Sequence, residues 1–296
     1  MIIKLKTHNL LTNFEAKIHL KENAVPRYVK ARQVPLAQQK LVDAALADMV
    51  AAGTVDPIKH SEWASAIVPV LKANGKMRIC ADFKDLNSKI NTEKYPLTRL
   101  DEMLCTISNN QQFCKIVLAN AYLQLSVAPE CKKYLVINTQ KGLFRFNRLP
   151  FGLSSAPGIF QRFISQLLAG IEGVVCYLED ILICASSKAE QFEHVQSVLD
   201  RLSAANVVLN KEKCQFNVSQ LDFLGYVVSE RGIEPSPVKV EAINEAPVPT
   251  NLTELQSLIG MVTYYSRFVP HFSEILSPLY ELTKKGVPFK WGKNIM

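Results

Sequence analysis

The sequence predicts a mixed α+β fold. Three observations carry that expectation: short apolar runs joined by tight-turn signals, longer stretches with helical spacing between them, and a segment from Pro235 onward that switches to helices punctuated by proline. The chain has 296 residues, 48% of them hydrophobic, which is ample for a core in one large domain or two to three modest ones.

The elements follow in order. From Lys4 to Pro35 the chain is polar and irregular, and Lys21, Arg27, Lys30 and Arg32 suggest a basic arm on the surface. Gln38 to Ala52 has helical spacing (Leu41, Ala45, Leu46, Met49, Val50) and stops at Gly53. Ala66–Leu71 and Met77–Ala81 are β-type runs around Ala73-Asn74-Gly75-Lys76, and Asn-Gly is a strong hairpin signal. Leu97–Ile107 is expected to be a helix, Phe113–Leu118 a strand, and Tyr134–Phe146 two strands turning at Lys141-Gly142. A loop, Pro150–Pro157, leads into a helix over Ile159–Leu168, and Val174–Cys184 is expected to form a hairpin with Glu179 and Asp180 at its tip. A helix over Gln191–Ala205 is followed by short strands at Cys214–Phe216 and Leu221–Val228, then by helices with stops at Pro247, Pro249, Pro270, Pro278 and Pro288. That change of pattern predicts a domain boundary near Gly232–Pro237. No internal repeat or low-complexity segment is present.

A formal charge of +7 suits an anionic partner, nucleic acid before membrane, and equally serves solubility. The seven cysteines are odd in number, spread out and without zinc spacing, so buried thiols in a reducing compartment are expected. No run of about 18 apolar residues occurs, and Met1–Lys6 lacks the apolar core of a secretory signal. An intracellular protein, cytoplasmic or nuclear, follows as the expectation.

Adjacent carboxylates in a tight turn between apolar strands call for a cation to neutralise them, and Mg²⁺ or Mn²⁺ held by hard oxygen ligands is the natural candidate for phosphoryl transfer. Two acids in a turn also describe an ordinary solvated loop. The neighbours make the reading specific. Trp63–Ala66, Gly75–Arg78 with Asp82–Asn87, Tyr95–Leu97, Leu149–Leu153 with Ala156-Pro157 and Phe160-Gln161, Tyr177–Asp180, Lys213–Phe216, Phe223–Tyr226 and Tyr264–Phe268 occur in this order. On these motifs the chain resembles, over nearly its whole length, the reverse transcriptases (RNA-directed DNA polymerases) of gypsy-class LTR retrotransposon Pol polyproteins.

The resemblance implies a right-hand polymerase fold, with a mixed or antiparallel palm sheet packed on helices. It places the arm and fingers at 1–85, the palm at 86–232 with finger elements around 125–155, and a helical thumb with the start of a connection at 233–296. No protease, ribonuclease H or integrase domain is expected within the chain, which looks like a fragment of a polyprotein. In that family the metal ligands are an aspartate ending the strand that here reads Lys115–Leu118, and the first aspartate of a Tyr-x-Asp-Asp hairpin. Here position 117 is valine, which cannot coordinate a metal, and position 179 is glutamate, which displaces its oxygens by roughly one bond length. Asp180 is kept, and past Val117 the strand offers only Asn120, a neutral ligand.

The resemblance further implies that Lys72 and Arg78 grip an incoming deoxynucleoside triphosphate, that Tyr122 lies beneath its sugar, and that Phe151, Gly152 and Gln161 complete the nucleotide pocket. Without the resemblance, Lys72 and Arg78 are also solvated charges and Tyr122 a core tyrosine. Lys213 is implied as a proton donor to pyrophosphate, although Lys211-Glu212-Lys213 also reads as a wet turn. Tyr177, Phe223, Leu224, Gly225, Tyr226 and Arg267 are implied to meet an RNA–DNA or DNA primer-template, with Lys239, Tyr264 and Tyr265 as further thumb contacts. The expectation is a nucleotidyltransferase body whose Mg²⁺ binding and polymerisation are weakened by Val117 and Glu179. Three readings stay open: that impaired or still active polymerase, a non-catalytic module kept by a host for nucleic-acid or protein contacts, and a decayed gene product.

Overall fold

The computed structural model describes residues 14–72, 75–92, 95–97 and 100–292. It forms a right-hand polymerase fold, an α+β architecture built on four sheets.

The part expected to form the fingers contains β1 (Glu15–Ala16), α1 (Leu36–Ala51), β2 (Val55–Ile58), β3 (Ser65–Leu71), β4 (Met77–Ala81) and α2 (Lys84–Lys89). The arm is not simply laid on the surface. Its Lys21, Arg27, Lys30 and Arg32 are exposed, but Ala16 and Ile18 are buried, β1 pairs with a palm strand, and Arg32 is ion-paired with Asp82. Residues before 14 lie outside the described part of the chain, as do Ala73 and Asn74 at the hairpin turn, although Leu71 and Met77 pair across it. α1 starts two residues before the expected Gln38, directly after Pro35. β2 has no counterpart in the sequence expectations because Pro57 lies inside it. The structure tolerates that proline at the sheet edge, where no ladder bond is needed on one side.

The part expected to form the palm, with finger elements inserted in it, contains α3 (Leu100–Ile107), β5 (Gln112–Val117), β6 (Ser126–Val127), β7 (Val136–Thr139), β8 (Gly142–Phe146), α4 (Ala156–Leu167), β9 (Val174–Tyr177), β10 (Asp180–Ala185), α5 (Lys188–Ala204) and β11 (Gln215–Val218). β7 and β8 complete the five-stranded fingers sheet, in order β2-β8-β7-β3-β4. The palm sheet runs β11-β5-β10-β9. Its strands alternate by the two-residue period: Cys114, Ile116, Ile181 and Ile183 pack on α4 and α5, while Phe113, Val175, Leu182 and Cys184 face a second core. α5 begins three residues before the expected Gln191, because Ser187 caps it: Ser187 Oγ accepts from the Glu190 N–H (3.3 Å), and Glu190 Oε2 accepts from the Ser186 N–H (2.7 Å) just outside the cap.

The second core lies under β12 (Gln220–Phe223), β13 (Tyr226–Ser229) and β14 (Gly232–Pro235), an antiparallel meander, followed by α6 (Pro237–Asn244), α7 (Leu252–Thr263) and α8 (Phe272–Glu281). Pro278 does not stop a helix; it lies inside α8, which the packing of Leu276 holds in place. Cys114, Cys131, Cys176 and Cys184 are buried, but Cys105 is exposed, correcting the expectation for that thiol. Among the described residues no helix is long and apolar enough to cross a membrane.

Candidate active site

The site grows from two adjacent strands of the palm sheet. β5 and β10 pair antiparallel with Asp180 opposite Val117 and Leu182 opposite Lys115. β9 and β10 are joined by the two-residue turn Leu178-Glu179, with Leu178 in the left-handed region (φ 51°). Glu179 therefore occupies the tip and is exposed, whereas Asp180 is already the first residue of β10. The Leu118 N–H donates to the Glu179 carbonyl (2.9 Å), fixing the tip against the end of β5.

These groups line an open cleft of about 380 Å³ together with Lys115, Glu212, Lys213, Gln215 and Asp222. The sequence expectations brought Val117, Glu179, Asp180 and Lys213 to one place, and the structure does the same. Lys115 and Asp222 were missed. The signal for Lys115 was available, since a residue two before Val117 on a strand shares its face. The residues present do not fit a carboxylate cage for two divalent ions. Val117 is 7% exposed and offers only methyl groups, and among the described residues no three His, Cys, Asp or Glu side chains come close enough together to hold a metal.

Beside this cleft, Lys72 and Arg78 of the fingers hairpin stand at a larger cavity of about 470 Å³ whose walls include Met49, Leu123 and Phe151. Arg78 lies 5.9 Å from the centroid of the Phe151 ring. Tyr122 is 9% exposed and meets Phe151 and Phe160 edge-on at 5.0 and 5.5 Å. Burial first, and the Glu179 carboxylate second, push its phenol up to about 12, so it stays neutral at ordinary pH. Gly152 has φ +92°, and a Cβ there would come to 3.3 Å of the Ala81 carbonyl oxygen, which ties the loop closely to β4. Asn87, at the end of the Asp82–Asn87 motif, secures this loop: its amide donates to the Gly152 carbonyl (2.8 Å) and its oxygen accepts from the Ser154 N–H (2.9 Å).

Gln161 departs from its expected place in the nucleotide pocket. It is 1% exposed, its amide donates to the Cys176 carbonyl (2.9 Å) and its oxygen accepts from the Leu178 N–H (2.8 Å). It holds the acid hairpin from behind and presents no surface to a ligand.

The β12–β13 hairpin also divides into inside and outside. Phe223 and Tyr226 are buried, so their rings cannot meet a primer, whereas the turn Leu224-Gly225 is part-exposed with both residues at positive φ. The thumb grips that turn. Tyr264 Oη donates to the Leu224 carbonyl (3.1 Å) and Tyr265 Oη to the Gly225 carbonyl (3.5 Å), while Tyr264 stacks on Tyr226 at 5.4 Å. Burial, followed by the hydrogen bond with Tyr264, raises the Tyr226 phenol far above the usual range. Tyr177 is part-buried at the end of β9, and Arg267 is exposed in the turn after α7.

A sheet with acids at a hairpin tip, a basic hairpin on the facing side and a helical region docked on a second hairpin are the parts of a right-hand polymerase fold. Comparison with known proteins makes the assignment: the chain belongs to the reverse transcriptase (RNA-dependent DNA polymerase) family, whose profile matches residues 70–228. An uncharacterised protein of Caenorhabditis elegans is 35% identical over 263 residues, 88% of this chain and 21% of that protein. The Transposon Tf2-3 polyprotein of Schizosaccharomyces pombe is 34% identical over 265 residues, covering 88% of this chain and 20% of the polyprotein. The chain thus spans about a fifth of the length of these relatives. Among solved structures, a foamy viral protease-reverse transcriptase in complex with double-stranded DNA superposes with a TM-score of 0.83 at 23% identity, over 99% of this chain and 50% of that one. The same viral enzyme in complex with an RNA/DNA hybrid gives 0.77 at 22% identity, over 98% and 38%.

Proposed function

We propose that this chain is the reverse-transcriptase domain of a gypsy-class LTR retrotransposon polyprotein that has kept its grip on nucleic acid and largely lost nucleotidyl transfer. The observation that carries the reading is the register of the palm sheet: Asp180 faces the isopropyl group of Val117 where the family resemblance calls for a second carboxylate. Glu179 lies on the exposed turn, one methylene longer than aspartate, and does not replace it.

The rest of the hand supports binding. Lys72 and Arg78 are exposed on the fingers hairpin, Arg78 over the Phe151 ring, which supports a grip on a triphosphate or a template phosphate, and Tyr122 packs behind Phe151 to back that pocket. Leu224-Gly225 presents backbone to a primer end, with Arg267 beside it for phosphate, so Phe223 and Tyr226 act by shaping this turn. The +7 charge favours a duplex partner and a salt-dependent affinity. That Lys213 lines the cleft with the acids supports a role for it as proton donor to a leaving group there.

Loss of a metal-binding carboxylate removes several kcal/mol of charge stabilisation, on the order of a thousandfold in rate. Primer extension on RNA and DNA templates, with Mg²⁺ and with Mn²⁺, should give at least that deficit against a Val117→Asp/Glu179→Asp variant. Extension by the native chain at the level of the double variant would sink the proposal. Duplex binding unaffected by salt would remove the nucleic-acid half of it.

A further inference from the structure

Lys115 is the charged residue of β5, whose other side chains on the same face, Phe113 and Val117, are apolar. It shares the face of β5 that carries Phe113 and Val117, opposite Leu182, in contact with the second core. An ammonium in that setting is costly unless its charge and its donors are met. They are met on two sides. Asp180 Oδ1 stands 3.7 Å from Lys115 Nζ, with the two side chains only 24% and 19% exposed. Lys115 also donates to the Asp222 carbonyl (3.1 Å) and lies 5.7 Å from the centroid of the Phe223 ring. Asp180 belongs to the palm sheet and Asp222 and Phe223 to the separate β12-β13-β14 sheet, so one side chain spans from one to the other.

We propose that Lys115 is the built-in counter-cation of Asp180 and a strut between the acid hairpin and the β12–β13 hairpin, so that this centre keeps its charge balance and shape without a divalent ion. The proposal rests on the reading of the centre as one that lacks its second ligand. With a carboxylate at position 117, one ammonium could not balance the cluster. With Val117, one positive charge at 3.7 Å matches the one carboxylate on that face. Exposed Glu179 is left to solvent, and Lys213, Glu212 and the Asp222 carboxylate line the rim of the cleft. A lysine so placed also repels a divalent ion from Asp180, which makes the idea measurable without nucleic acid or turnover.

The test is Mn²⁺ binding to the free chain, read from the paramagnetic resonance signal of unbound Mn²⁺, for the native chain, Lys115→Met, Lys115→Arg and Lys115→Met/Asp180→Asn. Removing a unit charge about 4 Å from the site should tighten Mn²⁺ binding by about tenfold or more in Lys115→Met. Lys115→Arg should behave as the native chain, and Asp180→Asn should abolish the gain. Amide hydrogen exchange over Phe223–Tyr226 should quicken several-fold in Lys115→Met and not in Lys115→Arg. Equal Mn²⁺ affinity in the native and Lys115→Met chains, or a gain that survives Asp180→Asn, overturns the proposal. If Lys115→Met does not fold by circular dichroism, Lys115→Gln carries the same prediction. Robust primer extension by the native chain would overturn the functional reading alone, since the Mn²⁺ comparison is scored separately.

Discussion

The acid hairpin depends on a residue that touches no ligand. Replacing Gln161 by leucine roughly keeps the volume of the side chain and removes an acceptor from the part-buried Leu178 N–H and a donor from the buried Cys176 carbonyl. Each lost hydrogen bond to a backbone group costs about 1–3 kcal/mol, and the leucine returns about 1 kcal/mol through its own burial, so a net loss of about 1–5 kcal/mol is expected. Leu178 sits at φ 51°, a conformation unfavourable to a branched residue by about 1 kcal/mol, and without its acceptor the turn should relax and carry Glu179 away from Asp180. Urea denaturation followed by circular dichroism measures the loss. Gln161→Glu sharpens the test: its carboxylate still accepts from Leu178 but cannot donate to Cys176, and a buried charge is disfavoured. That variant should be the less stable of the two at neutral pH and recover as pH falls and the acid protonates. A Gln161→Leu loss below about 0.5 kcal/mol, or a Gln161→Glu variant indifferent to pH, would refute the argument.

Two further outcomes test the frame of the same hairpin. Gly173, at φ +70° just before β9, has no room for a side chain: a Cβ would collide with the Cys184 carbonyl oxygen and reach 2.9 Å from His194 Nδ1. Gly173→Ala should therefore cost at least about 2 kcal/mol in the same urea assay, and a neutral substitution would show that the strand entry is not constrained. Burial pushes the Cys176 and Cys184 thiols up to about 12 from an ordinary 9.0. Because the folded values are raised, their contribution to stability is complete below about pH 9 and is lost as pH climbs toward 12. At pH 10 each thiol removes about 1.4 kcal/mol, so Cys184→Ala should flatten the fall between pH 8 and pH 10 by roughly that amount. An unchanged slope would contradict the assignment.

Much of this protein is legible in its sequence because the information is local. The apolar runs Phe113–Leu118 and Val174–Cys184, the turn at Lys141-Gly142 and the helical spacing after Gln38 each state an element through its own residues, and valine at 117 or glutamate at 179 is evident without coordinates. What tertiary structure decided is everything that depends on a partner distant in the chain. The sequence could not say that Asp180 and Val117 share a register, that Gln161 faces the backbone of a hairpin and not a pocket, or that Phe223 and Tyr226 turn inward beneath thumb tyrosines 40 residues away. Nor could it say that Lys115, one lysine among several in the palm, ends beside the carboxylate of Asp180. The physical reason is common to all four: an isolated strand fixes which residues share a face, but only the packing of that face fixes what stands opposite, and charge, hydrogen bonding and solvent access are properties of the pair.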